Sequence, residues 1–93
     1  MRNLVIVGAD HLGHIEKNLN QMGFKNILHI KGRKESESRF QLPQEADAVL
    51  VLLDFVSHNL AKATKDKARK QSLPICFAKR SWTSIYHSLE SIV

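Results

Sequence analysis

The chain has 93 residues, of which 43% are hydrophobic and 25% charged, and it carries a formal net charge of +5. This length and composition are typical of one soluble globular domain with a small core. The longest apolar run, Ala48–Leu53, is far too short to span a bilayer, and the N-terminus lacks the pattern of a signal peptide. One cysteine, Cys76, excludes an internal disulfide framework and a cysteine-based zinc cage. We therefore expect a cytoplasmic protein without a membrane partner, and its positive charge favours an anionic partner.

The first segment of the chain combines an apolar run, a glycine-bounded turn and a helical pattern. The run Leu4–Val7 predicts a buried strand. Apolar residues at helical spacing then predict one face of an α-helix: Leu12, Ile15, Leu19 and Met22. Gly23 is a signal for the end of this helix. The turn Gly8–His14 lies between strand and helix, which is the order in which open α/β sheets build ligand sites.

The middle of the chain predicts two further strands. The second strand is Asn26–Lys31, and the third is Asp47–Leu53, whose Val and Leu content indicates a central position. The stretch between them has no clear period and is most loop-like at Arg33–Arg39. Pro43–Ala46 could hold one turn of helix.

The last third of the chain predicts two helices around a fourth strand. A turn at Asp54–Asn59 precedes a basic amphipathic helix over Leu60–Gln71. Pro74–Ala78 predicts the fourth strand. Ser81 is a suitable N-cap for a final helix, whose apolar face is formed at helical spacing by Trp82, Ile85, Leu89 and Ile92.

Together these elements predict a single α/β domain over the whole chain, a three-layer Rossmann-like (flavodoxin-like) fold. The natural strand order of its four-stranded parallel sheet is 2-1-3-4. In such a sheet the carboxyl ends of all strands meet at one edge, where ligands bind. The loops expected there supply the candidate binding residues: Gly8, Asp10, His11, Gly13, Arg33, Asp54, Ser57, His58, Asn59, Arg80 and Ser81.

The glycine turn resembles two phosphate-binding turns and matches neither. A dinucleotide fingerprint needs glycine where Asp10 stands. A P-loop needs lysine where His14 stands. The cations of two other loops, Arg33 and Arg80 among them, favour contact with a phosphate or carboxylate.

The histidines expected near this edge allow two other kinds of chemistry. His11, His14 and His58 are candidate metal or haem ligands. Asp54 close before His58 would suit a general base. For each histidine the simpler interpretation is a hydrogen bond to a loop backbone.

Four sequence blocks together resemble a bacterial family of small Rossmann-like proteins known only as a domain of unknown function. The blocks are GADHLG at 8–13, GR at 32–33, DFVSHN at 54–59 and KRSWTSI at 79–85. The resemblance covers essentially the whole chain and implies a small cytoplasmic domain without a settled activity. Haem binding is associated with some relatives, which implies His58 or His11 as the ligand here.

Three functional hypotheses follow. The first is a non-enzymatic or weakly enzymatic domain that binds a small anionic molecule, most simply a phosphate-bearing one. The second is a haem- or metal-binding sensor or carrier that uses His58, His11 or both. The third is an enzyme with an Asp54–His58 general base.

Two hypotheses concern larger partners. The small core motivates a homodimer through the last helix, with Trp82, Tyr86 and Leu89 as the candidate surface. The basic helix is most simply a solvated face. Its alternative is contact with a nucleic-acid backbone, although no aromatic platform accompanies it.

Overall fold

A computed structural model describes residues 2–31 and 41–92. Its elements in chain order are β1 (Asn3–Val7), α1 (His14–Gln21), β2 (Asn26–Ile30), β3 (Ala48–Leu52), a 3₁₀ turn (Leu53–Phe55), α2 (His58–Lys70), β4 (Ile75–Ala78) and α3 (Trp82–Glu90). The strands form one parallel sheet in the order β2-β1-β3-β4. The predicted α/β fold and strand order are confirmed.

The sheet is covered by helices on both faces. Successive strand side chains point to opposite faces, so β1 sends Ile6 to one side and Val7 to the other. Helices α1 and α3 pack with Ile6 in one apolar cluster, and α2 packs with Val7 in another. We call these sides the α1 face and the α2 face. Both β1 and β3 are buried on both faces, because they are continuous apolar runs in the middle of a parallel sheet.

Local capping signals set several helix ends. The Ser81 hydroxyl accepts the Ser84 N–H at 3.3 Å and begins α3, as its sequence predicts. Gly23, with φ +111°, follows α1 and lets the Phe24 N–H donate to the Leu19 carbonyl. This is a Schellman ending, and it confirms Gly23 as the end signal.

The predicted start of the basic helix is wrong by two residues. Helix α2 begins at His58, so His58 and Asn59 lie in its first turn and not in a preceding loop. The Ser57 hydroxyl accepts the Leu60 N–H at 3.0 Å and acts as the N-cap. The apolar pattern marks the first buried residue, Leu60, whereas the cap sets the true start.

The predicted third strand is too long at both ends. The Asp47 carboxylate lies before β3 and accepts the backbone N–H groups of Arg2 at 2.8 Å and Asn3 at 2.9 Å. These bonds, that of Asn3 first, hold the pKa of Asp47 below its usual value. Leu53 belongs to the 3₁₀ turn that follows the strand.

Two other predictions about the linker between β2 and β3 have different outcomes. Pro43–Ala46 forms a single turn, in which the Ala46 N–H donates to the Pro43 carbonyl at 3.2 Å, and not a helical segment. The loop-like interpretation of Arg33–Arg39 lies outside the described residues.

Two further predictions concern individual side chains. Cys76 is 8% exposed, and burial raises its thiol pKa to about 11, which agrees with its interpretation as a packing residue. Leu89 is fully buried in the α1-face cluster, so its inclusion in a surface for a second copy is wrong.

No helix in the described part of the chain is long and apolar enough to cross a membrane.

Candidate functional site

The loop between β1 and α1 is packed tightly against the end of β3. Gly8 has φ +116°, and a Cβ built on it would lie 2.9 Å from the Leu52 carbonyl oxygen and 3.0 Å from Val56 Cγ1. Its N–H donates to the Ile30 carbonyl at 2.8 Å. Glycine is therefore required here so that the loop can cross the sheet edge. Because the Gly8 N–H already donates to the Ile30 carbonyl, it is not available to a ligand.

The His29 side chain on β2 forms a hydrogen bond with the same loop, on the side of β1 opposite β3. Its Nε2 lies 2.8 Å from the Gly8 carbonyl oxygen, and the residue is half-buried. A neutral ring must carry its proton on Nε2 to donate this bond, which leaves Nδ1 as an acceptor. His29 is not among the site residues predicted from the sequence. The alternation of Ile27, His29 and Lys31 along β2 was the signal that these side chains share a face.

An open groove of about 520 Å³ lies between this loop, the first turn of α1 and β2. Its lining residues are Asp10, His11, Leu12, Gly13, Glu16, Ile27, His29 and Lys31. Asp10, His11 and Gly13 are predicted site residues. Glu16, His29 and Lys31 are polar lining residues that the sequence did not predict for the site. Since Ile27 packs against the α1-face cluster, the groove lies on the α1 face.

The N-terminus of α1 opens onto this groove without a side-chain cap. Its N-cap is Gly13, with φ +56° and ψ −135°. The N-caps of α2 and α3 are serines whose hydroxyls accept backbone N–H groups. The first N–H groups of a helix have no intrahelical partner and carry the positive end of the helix dipole. The Ile15 N–H already donates to the Leu12 carbonyl at 3.1 Å, so helix α1 presents its remaining first-turn donors to an external anion.

Arg80 joins the β4–α3 loop to the β1–α1 loop. Its Nε and Nη2 donate to the His11 carbonyl at 3.1 and 2.6 Å. The same Nη2 lies 3.8 Å from the position of a Cβ built on Gly13, so the guanidinium stands beside the start of α1. A guanidinium has five N–H donors, and these bonds use two of them. The two loops do meet at one edge, and three donors of Arg80 remain.

The predicted residues that follow β3 do not line the groove. Asp54 lies in the 3₁₀ turn, and His58 and Asn59 lie at the start of α2 on the α2 face; all three are exposed. In the described part of the chain, neither the Asp54 carboxylate nor the His58 ring forms a hydrogen bond or ion pair. The wall of the groove that faces Asp10 and His11 is therefore formed by β2.

The remaining predicted residues have separate locations. The hydroxyls of Ser57 and Ser81 serve as helix caps, and His14 is exposed as the first residue of α1. Arg33 lies outside the described residues. Within residues 2–31 and 41–92, no three His, Cys, Asp or Glu side chains are grouped closely enough to hold a metal ion.

The fold and this edge define the class of protein: a small Rossmann-like α/β domain with an open polar groove at the carboxyl ends of β1 and β2. The chain belongs to the DUF2325 family, described as uncharacterized proteins conserved in bacteria, whose model matches residues 3–92. No curated protein and no solved structure shows significant similarity to it.

Proposed function

We propose that the protein binds a small phosphate-bearing molecule in this groove, in the cytoplasm, with the phosphate at the N-terminus of α1. The observation that carries the proposal is the start of α1 at Gly13, which has no side-chain cap. Arg80 stands beside Gly13, and Lys31 lines the opposite wall of the groove. Backbone donors, a helix dipole and flanking cations are the features by which proteins bind phosphate groups.

The other lining groups favour a ligand that also carries hydroxyl groups. The Glu16 carboxylate lines the groove, and carboxylates accept hydrogen bonds from hydroxyls. The Nδ1 of His29 is a further acceptor in the tautomer that donates to Gly8. A polyanion would be repelled by the Glu16 carboxylate in the first turn of α1. A sugar monophosphate or a nucleoside monophosphate therefore suits the groove better than a triphosphate.

A thermal-shift screen tests this proposal. We expect ribose 5-phosphate or a nucleoside monophosphate to raise the Tm of the full chain, and the matched ribose or nucleoside to raise it much less. Lys31→Gln should weaken binding about tenfold, which corresponds to ~1.4 kcal/mol. Lys17→Gln is the matched control, because Lys17 is exposed on α1 and does not line the groove.

Two outcomes would contradict the proposal. One is a Tm that no phosphate-bearing molecule raises. The other is an equal loss of affinity in Lys31→Gln and Lys17→Gln. Arg80→Ala is less informative, because it also removes the bonds that hold the His11 carbonyl.

Haem binding, which the family resemblance implies, has less support in the described residues. A haem needs an axial ligand beside an apolar cleft. His11 lies in the polar groove, and His58 is exposed at the start of α2. A second groove of about 320 Å³, near Leu28 and Pro43, is more apolar, but none of its lining residues is a histidine. A Soret band that appears on haem titration and is lost in His58→Ala or His11→Ala would favour this alternative.

Homodimerisation through α3 and catalysis by an Asp54–His58 pair also stay proposals. Tyr86 is 41% exposed, and the centroid of its ring lies 6.0 Å from the centroid of the Trp82 ring, so α3 has aromatic side chains at its surface. The native mass at high concentration tests the dimer. Substrate turnover that disappears in His58→Ala tests the enzyme.

A further inference from the structure

Helix α2 carries a continuous row of basic side chains along its exposed side. Positions 58, 62, 65 and 69 share one side of a helix, because they are spaced by four, three and four residues. The residues at these positions are His58, Lys62, Lys65 and Arg69, and all four are exposed. We call Lys62, Lys65 and Arg69 the α2 basic stripe. The opposite side of α2 is buried against the sheet.

Helix stability does not account for this stripe. Like charges three or four residues apart destabilise a helix, and opposite charges at these spacings stabilise it by a similar amount. The stripe contains two like pairs, Lys62 with Lys65 and Lys65 with Arg69, which offset its two spacings to Asp66. Favourable interaction with the helix dipole applies to Arg69 in the last turn. It does not apply to Lys62 or Lys65, which lie further from the end.

The stripe is also not neutralised within the described part of the chain. None of its three side chains forms a hydrogen bond or ion pair with the described residues. The single acid of α2, Asp66, lies four residues after Lys62 and three before Arg69, but it forms no ion pair with either. The stripe therefore presents three cations over about 10 Å of helix, at a rise of ~1.5 Å per residue.

We infer that the α2 basic stripe binds the phosphate backbone of double-stranded nucleic acid. Duplex DNA carries a dense line of negative charge that a row of cations can neutralise, with release of counterions. A single strand is a poorer match, because the stripe offers no aromatic side chain on which bases could stack.

A lipid bilayer is also a poorer match, because an interfacial helix must insert its apolar side. The apolar side of α2 packs against the sheet, and its residues Leu60 and Ala68 are buried in the core. Among the described residues, Leu53 and Phe55, each 49% exposed, are the large exposed apolar side chains nearest to α2 in sequence. The stripe lies on the α2 face, whereas the phosphate groove lies on the α1 face, so the two proposals are independent.

The test is fluorescence anisotropy of a labelled 20-base-pair DNA duplex of mixed sequence, titrated with the full chain at several NaCl concentrations. Three phosphate contacts predict a slope of log K against log[salt] of about −2.7, at ~0.9 per contact. Lys62→Gln with Lys65→Gln should bring the slope to about −1. The matched control is Arg2→Gln with Lys17→Gln, which removes the same charge outside α2 and should leave the slope unchanged. Circular dichroism and thermal melting establish that both double variants fold.

Five outcomes would overturn the inference. The first four are no duplex binding at low salt, equal losses in the stripe variant and its control, tighter binding of a single strand than of the duplex, and binding to phosphatidylserine vesicles without duplex binding. In the last case, loss of vesicle binding in Phe55→Ser would assign the interaction to a bilayer. If Lys31→Gln alone abolishes duplex binding, the groove holds the phosphate, and the stripe proposal fails while the proposed function stands.

Discussion

The two glycines of the β1–α1 loop have different roles that a sequence pattern cannot separate. Both have positive φ, +116° at Gly8 and +56° at Gly13. Only Gly8 is also enclosed, by the Leu52 carbonyl oxygen and the Val56 side chain. A Cβ added to Gly13 would meet no atom closer than 3.8 Å, apart from its chain neighbours. Gly8 thus permits the packing of the edge, and Gly13 leaves the start of α1 open to a ligand.

Alanine at each glycine tests this difference. Gly13→Ala should lower the free energy of unfolding by about 1–3 kcal/mol, from backbone strain alone. Gly8→Ala should cost at least ~1 kcal/mol more, because its methyl group would collide with backbone that cannot move aside. Urea denaturation of the two variants gives both values. A smaller loss in Gly8→Ala than in Gly13→Ala would contradict the packing role of Gly8.

At the scale of elements, the ends of the helices follow from short-range hydrogen bonds. Helix α2 ends in a Schellman motif, in which the Ser72 N–H donates to the Arg69 carbonyl and the Leu73 N–H donates to the Ala68 carbonyl. Ser72 occupies the left-handed position, with φ +56°, that α1 fills with Gly23. A serine at this position retains strain that a glycine would relieve.

Ser72→Gly should therefore stabilise the protein. We expect a gain of about 1 kcal/mol in the free energy of unfolding, because the left-handed conformation costs a side-chain-bearing residue ~1 kcal/mol or more. The side chain is exposed, so little packing is lost. Ser72→Ala keeps the Cβ and should show no gain. Equal stability of the two variants in chemical denaturation would argue against strain at this position.

At the scale of the whole molecule, one carboxylate joins the two central strands at the edge opposite the groove. Asp47 precedes β3 and accepts backbone N–H groups at the start of β1, more than 40 residues earlier. Those bonds favour the ionised carboxylate and lower its pKa in the folded protein. The stabilisation is complete above the unfolded-state pKa and is lost as pH falls through the lower, folded-state pKa.

The stability of the wild type should therefore decrease as pH falls below about 4, the usual range of an aspartate pKa. Asp47→Asn should be less stable than the wild type at neutral pH, and its own stability should change less over the acid range. Thermal melts between neutral pH and the acid limit measure both effects. Parallel pH profiles of the two proteins would show that this carboxylate does not link the strands.

The sequence by itself determined the elements and their order in the sheet. Apolar runs such as Leu4–Val7 specify buried parallel strands, because such strands have no polar face. Ser81 and Gly23 mark helix ends through bonds that close within a few residues. Right-handed crossovers then select the order 2-1-3-4. The strands and helix ends depend on residues close in sequence, and the strand order depends on the right-handedness of the crossovers. None of them requires knowledge of contacts between distant residues.

Only the tertiary structure decided which side chains share the candidate site. In the order 2-1-3-4, the crossovers after β1 and β3 run in opposite directions, so α1 and α2 cover opposite faces. His58 therefore lies across the sheet from His11, and the alternation of β2 brings His29 and Lys31 beside the loop instead. The contact of Arg80 with the His11 carbonyl joins groups 69 residues apart. Such a contact depends on how two loops pack, and no local pattern encodes that.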